Sequence, residues 1–286
     1  MRWLYALILG WLPLAGRAQL APALPPDQAR IEARYRFTFR PDSTDPATRT
    51  EVLRLRLGSK LSRCENMATV YMDSVMTAAI VAAEPTPSGD DKVANIDLSH
   101  VPASRFNARF KEVIHKVPTA GTETVYNKIG AVQYVYQEPA SLFSWTLTPA
   151  TATVAGYACQ RATTSFGGRQ WEAWFTREVP VGDGPYKFYG LPGLIVKVSD
   201  TRGHYVFELT RLRQLVPPMA IAPPEASAKR IAKPELRRGK AEYERNNFAQ
   251  LLASGNIRYS SPEAAAAAQQ RMRDRAKRKT NPLELK

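Results

Sequence analysis

Residues 31–40 (IEARYRFTFR) alternate without a break: Ile31, Ala33, Tyr35, Phe37 and Phe39 share one face, and charged or polar side chains share the other. That period of two, with aromatic enrichment, predicts a half-buried strand. Residues 51–57 repeat the alternation with Val52 out of step, and Gly58 ends it. Residues 67–83, rich in small side chains and methionine, predict a helix, and 84–92 predict a loop by their Pro, Gly and Asp content. Further strands are predicted at 93–98, 111–117, 123–128 and 132–138, the last two forming a hairpin across Gly130. The meander continues at 143–147, 153–158, 159–166, 169–177, 194–200 and 203–211, with a turn at Asp200–Gly203 before the last strand. Short strands at this spacing point to a mainly β, α+β fold. The expected form is a single curved antiparallel sheet of about eight to eleven strands, bowl-like or a half-barrel, with one or two helices.

The pattern changes at both ends. Arg2 precedes an apolar run from Leu4 to Leu14, and Gly16 and Ala18 supply small residues before Gln19, so residues 1–18 read as a signal peptide cleaved near Ala18. The run is too short for a membrane-spanning helix, and no later segment reaches that length, so no transmembrane segment is expected in the mature chain. The expected location is periplasmic or extracellular. Proline-rich residues 19–29 read as a flexible leader, 30–215 as the β domain, and 216–286 as a basic helical tail with helices at 225–253 and 262–279. Pro262, after Ser261, suits the first position of the second helix.

Charge reinforces that division. The chain carries 40 Lys and Arg against 26 Asp and Glu, a formal net charge of +14. Residues 215–286 hold 15 basic and 7 acidic side chains, a net +8 in a quarter of the length. Basic clusters attract phosphate, but a signal peptide takes the chain away from cytoplasmic nucleic acid, and the tail has few aromatics for base stacking. A solvated face that meets anionic lipid or polysaccharide is the simpler reading, with no nucleic-acid partner. Hydrophobic residues at 44% exclude a wholly disordered chain, and two cysteines exclude a disulfide-dense scaffold or a zinc ribbon.

The sharpest pattern lies in residues 155–211. Arg169 opens a strand in which Trp171 and Ala173 face one way, with Glu172 and Trp174 facing the other. Asp183-Gly184 is a turn signal stiffened by Pro185. Leu191-Pro192-Gly193-Leu194 matches a type II turn, with Gly193 where a positive φ is required. The run GPYKFYGLPGLI, from Gly184, Pro185 and Tyr186 through Gly190, Leu191, Pro192, Gly193, Leu194 and Ile195, resembles the hallmark of the GLPGLI family, exported Bacteroidetes proteins of unknown function. Gly156-Tyr157, Cys159, Gly168-Arg169, Ala173–Thr176, Val179-Pro180 and Asp200 match as well, and Asn281–Leu285 resembles the short asparagine-proline motif that closes many members. The resemblance is strong over 155–211 and weak elsewhere. It implies an open, bowl-like antiparallel sheet, similar in outline to periplasmic lipoprotein carriers, and it implies no reaction.

No catalytic constellation stands out. His100, His115 and His204 form no H-E-x-x-H pattern, there is no G-x-S-x-G elbow or phosphate-binding loop, and Lys187 stands where a dinucleotide fingerprint needs glycine. No cofactor, no metal and no enzymatic activity are therefore expected. Glu178, Asp183, Asp200 and His204 are the residues on which an unfamiliar enzyme site would rest. Cys64 and Cys159, in an oxidising compartment, are expected to pair. Closing the intervening chain would contribute roughly 4–5 kcal/mol in the loop-entropy account. A buried free Cys159 with an exposed Cys64 is the alternative.

Trp171, Trp174, Phe175, Tyr186, Phe188 and Tyr189 crowd six rings into nineteen residues. Trp171, Trp174, Tyr186, Phe188 and Tyr189 are the candidate ligand-binding residues, forming an aromatic floor on a concave sheet, although core packing is the ordinary role of any one ring. The leading reading is a non-catalytic cell-envelope binding or assembly protein that holds a hydrophobic segment, lipid or peptide there. The alternatives are a structural or interaction module of an outer-membrane system and an enzyme with an unfamiliar site. The partner would be an envelope protein, a lipid or a glycan.

Overall fold

The computed structural model describes residues 26–82, 108–130, 132–139, 143–221, 228–253 and 281–285, with a few isolated positions besides. The expected signal peptide, the predicted strand at 93–98 and nearly all of the predicted helix at 262–279 lie outside the described residues.

Twelve strands form one sheet: β1 (Asp27–Phe39), β2 (Arg49–Leu57), β3 (Ser62–Asn66), β4 (Val113–Val117), β5 (Thr122–Ile129), β6 (Val132–Pro139), β7 (Thr146–Val154), β8 (Tyr157–Phe166), β9 (Arg169–Thr176), β10 (Leu194–Asp200), β11 (Tyr205–Ile221) and β12 (Lys229–Arg230). Among the described residues, helices α1 (Met67–Ala82) and α2 (Lys233–Ala253) accompany them. The strand order is β12-β6-β5-β4-β3-β2-β1-β11-β10-β9-β8-β7. Every neighbouring pair is antiparallel except β12 with β6. Among the described residues β7 and β12 remain as the two edges, so the sheet is open and not a closed barrel.

The period of two does what it predicts. Tyr35, Phe37 and Phe39 of β1 face inward beside Leu53 and Leu55 of β2 and Tyr205 and Phe207 of β11, all buried. The Phe37 ring stacks on Phe207 with centroids 4.5 Å apart and on Phe39 at 4.9 Å. Arg34, Arg36 and Thr38 project from the other face.

Several boundaries differ from expectation. Strand β3, too short to show a period, escapes sequence reading. The stretches predicted at 143–147 and 153–158 are divided differently: β7 runs unbroken from Thr146 to Val154, and after a turn at Ala155-Gly156 residues 157–158 open β8. Strand β1 begins at Asp27, inside the expected leader, and β11 runs past the compositional break at Val216-Pro217-Pro218 to Ile221. The prolines are tolerated because the register slips there: Ala29 faces Met219 and Ile31 faces Gln214. Residues 215–218 therefore bulge out of the ladder, where a missing N–H costs nothing. The tail is consequently no separate unit at its start, and its helix begins at Lys233, with Leu236 buried.

Candidate functional site

The centre of the molecule is the connection from β9 to β10, residues 177–193, which carries most of the motif. It folds back over the inward face of the sheet. Leu194 N donates to Val179 O at 3.0 Å, Ile195 N to Asp183 O at 2.9 Å and Gly190 N to Gly182 O at 2.9 Å, so the loop is tied to its own strand. Leu191-Pro192-Gly193 is not a type II turn. Gly193 N bonds back to Leu191 O at 2.8 Å, a three-residue turn around Pro192, because the Leu194 N–H is already committed to Val179. Gly193 has φ +148°, and a Cβ there would lie 2.0 Å from Thr176 O, so only glycine fits.

The loop reaches strands far apart in the sheet. Tyr186 N donates to Cys64 Sγ on β3 at 3.2 Å, Lys116 Nζ on β4 donates to Gly184 O at 2.7 Å, and Lys187 Nζ donates to both oxygens of Glu138 on β6 at 2.9–3.0 Å. From the opposite side, Trp145 Nε1 donates to Tyr189 O at 2.8 Å. On a flat sheet β6 and β10 would stand about 34 Å apart at ~4.8 Å per strand, too far for Lys187, seven residues before Leu194, in a folded loop. The sheet therefore curls around the loop, and the loop fills the hollow.

That placement decides the aromatic residues. Trp171, Tyr186 and Phe188 are 1%, 6% and 0% exposed. Trp171 meets Phe188 edge to face at 4.7 Å and donates Nε1–H to Phe166 O at 3.0 Å. These three are core and cannot form a ligand floor, which corrects that expectation. Trp174 and Tyr189 keep partial exposure. Trp174 lies on the outer face, as its alternation predicts, donating to Glu172 at 3.0 Å. Tyr186 holds φ +57°, a left-handed conformation unusual for tyrosine, and its hydroxyl donates to Glu284.

The two cysteines are likewise not paired. Both are buried free thiols. Cys64 is on β3 and Cys159 on β8, with five strands between them in the sheet, and a disulfide needs Cα atoms within about 7 Å. Burial pushes the Cys64 thiol up to about 12, so it is unreactive as a nucleophile.

Beneath the loop lies a buried ionic network. Lys116 pairs with Asp183. Lys187, buried, pairs with Glu138 and with Glu284 at 2.8 Å, and Lys233 and Arg237 of α2 reach the same Glu284 at 2.6 and 3.0 Å. Burial alone would raise the Glu284 carboxyl, but the charge and hydrogen bond of Lys187, with bonds from Lys233 and Tyr186, bring it down to about 2. Burial lowers the Lys187 ammonium, and Tyr136, Glu284 and Glu138 outweigh it and raise it. Glu123 sits between Lys116 and Glu138 in the strand register, fully buried, and neither oxygen accepts a hydrogen bond from the described residues. Burial pushes it up to about 8 despite the pull of Lys116 and Lys187.

The C-terminal motif locks this arrangement. Asn281 is 3% exposed. Its Nδ2 donates to Arg40 O at 2.9 Å, and its Oδ1 accepts from Arg169 at 2.5 Å. Arg169 also donates to Pro282 O and Leu283 O, pairs with Asp200 at 3.0 Å and stacks over the Tyr205 ring at 4.7 Å. Leu285 N closes the segment onto Gly167 O at 2.7 Å. Residues 281–285 thus clasp the β8–β9 turn and the loop together. Sequence reading singles out both motifs but not that they touch.

The residues of the enzyme alternative are all engaged. Glu178 accepts from Ala158 N at 2.8 Å, Asp200 accepts from Tyr205 N at 2.8 Å besides its pair with Arg169, and His204 Nδ1 lies 3.4 Å from Asn281 Nδ2. Among the described residues there is no group of three or more His, Cys, Asp or Glu that could hold a metal ion. No helix there is long and apolar enough to cross a membrane.

A family model described as a protein of unknown function, Porph_ging, matches residues 167–197. That span is β9, the loop and the start of β10, the part that plugs the sheet. No curated protein sequence matches the chain. Among solved structures, PNGF-II is similar in fold in two crystal forms. In the C2 form the TM-score is 0.51 at 13% identity, covering 76% of this chain and 33% of that one. In the P21 form the TM-score is 0.53, again at 13% identity, with 76% and 34% covered. The chain therefore corresponds to about a third of PNGF-II.

Proposed function

We propose that this chain is a non-catalytic binding or assembly protein of the cell envelope, exported after loss of residues 1–18. One observation carries the reading: the motif loop and the C-terminal segment use their charged and aromatic side chains to hold each other and the sheet. Asp183, Lys187, Tyr186 and Glu284 are engaged inside the fold, so the motif acts as a plug and clasp. Recognition then falls to surfaces the plug leaves open: the outer sheet face, where Trp174 lies, and the rim beside Tyr189. A hydrophobic segment, lipid or peptide would meet the protein there and not in the filled hollow.

A second reading, an interaction module serving a larger outer-membrane system, is favoured by the likeness to only a third of PNGF-II, since the same architecture there is one part of a longer chain. Native mass spectrometry on the mature protein, purified gently from its own envelope fraction, tests both. An added mass that leaves on solvent extraction supports the carrier, and one explained by a polypeptide supports the module. Turnover of any substrate that is abolished by Asp183→Asn, with the fold intact, would overturn the non-catalytic reading.

A further inference from the structure

The outer face of the sheet carries an arrangement that folding alone does not explain. Across β3, β2, β1 and β11 the register aligns Arg63, Arg56, Glu32 and Arg213 in one row and Glu65, Arg54, Arg34 and Arg211 in the next. Arg54, Arg34 and Arg211 are thus three directly opposed arginines. Like charges placed directly opposite across strands destabilise a sheet, and local rules are broken chiefly where function requires it.

The two glutamates do not cancel the surface charge. Their side chains are 1% and 2% exposed, whereas those of Arg34 and Arg213 are 31% and 40% exposed. Glu32 holds Arg34 Nε at 2.9 Å and Arg213 at 3.1 Å. Glu65 holds Arg54, Arg56 and Arg63 at 2.7–3.1 Å. Burial raises both carboxyls, but the arginines outweigh it and keep them low. The carboxylates therefore stay ionised beneath the guanidinium groups and orient them. Arg34 uses only Nε on Glu32, which leaves its Nη donors for a ligand.

Helix α1 crosses the same face over β2 and β3. It leaves a cleft of about 520 Å³ with Arg54, Arg63 and Glu65 on the sheet side and Val70, Asp73 and Thr77 on the helix side.

We propose that these arginine rows bind an anionic polysaccharide. The proposal rests on the binding-protein reading and names its ligand class. Guanidinium forks match carboxylate and sulfate groups in two-bonded geometry, and fixing them beforehand lowers the ordering cost of binding. A helical ridge beside a charged plane makes a trough for a linear chain. It suits a flat bilayer poorly, and on the described part of this face the large exposed apolar side chains are Val52 of β2 and Tyr71 of α1.

Titration calorimetry of the full mature chain against polygalacturonate and dextran sulfate, with uncharged dextran as blank, tests this. Both anionic chains should bind, more weakly as salt rises, and dextran should not. Arg211→Ala, which touches neither buried glutamate, should weaken binding about threefold. The triple variant Arg34→Ala/Arg213→Ala/Glu32→Gln, which removes the buried carboxylate with its partners to protect the fold, should weaken it at least tenfold. Lys277→Ala/Arg278→Ala removes two units of net charge, against one for the triple variant, and should still bind like the parent chain. No binding to either polyanion, equal losses in the tail variant, or capture only by vesicles containing phosphatidylglycerol would each overturn the proposal. A partner found in the native mass spectrum would in those cases leave the broader binding reading standing.

Discussion

Glu284→Gln isolates the clasp. The side chain is 7% exposed and faces Lys187, Lys233, Arg237 and the Tyr186 hydroxyl. Glutamine keeps the volume and an acceptor for Tyr186 but removes the charge. A carboxyl held at about 2 in place of its ordinary 4.5 corresponds to about 3 kcal/mol of stability at neutral pH, at ~1.4 kcal/mol per tenfold change in proton affinity. Because the folded-state value is depressed, that stability is present above about pH 4.5 and fades as pH falls toward 2. Urea unfolding followed by tryptophan fluorescence should show the variant weaker by about 3 kcal/mol at pH 7 and by only about 1 kcal/mol at pH 3. A deficit that is the same at both pH values, or below about 0.5 kcal/mol at pH 7, would refute the clasp as an electrostatic device.

Glu123→Gln should act in the opposite sense. With the folded carboxyl at about 8 against 4.5 unfolded, ionisation opposes folding increasingly as pH rises from 4.5 to 8, so the variant should gain about 3 kcal/mol at pH 7 and almost nothing at pH 4. Thermal melts at the two pH values check it, and an equal gain at both would contradict it. Gly193→Ala should destabilise by more than about 2 kcal/mol, since its methyl would collide with Thr176 O; unchanged denaturant midpoints would show that the turn can relax. Trp171→Ala should cost about 3–5 kcal/mol as a buried ring is lost, and Trp174→Ala clearly less, a ranking that chemical denaturation reads directly. Both cysteines should react with a thiol reagent only after unfolding, and a reductant should leave the melting temperature unchanged, because the thiols are buried and unpaired.

Much of the sheet is legible in the chain because it is written locally. Ile31 to Phe39 and Trp171 with Ala173 declare their inward face by alternation, and each buries that face. Sequence reading falters where local signals are weak or conflict. Five-residue β3 is too short to show a period. Pro217 and Pro218 look like the end of the sheet, yet a four-residue bulge lets β11 pass them. The aromatic cluster reads equally well as a binding floor or as core, since ring type and spacing are the same in both. The arginines at 34, 54 and 211 stand far apart in the chain, and only strand register makes them neighbours.

Backbone period and turn chemistry act over a few residues, so the strand-rich class, the inward faces of 31–39 and of Trp171 with Ala173, and the two motifs at 184–195 and 281–285 can be read from the chain. Tertiary structure alone decided that these motifs grip each other, that Cys64 and Cys159 lie apart, and that the hollow is filled. Those outcomes depend on how twelve strands order and curl, a balance of contacts between residues up to 241 positions apart, such as Asn281 on Arg40.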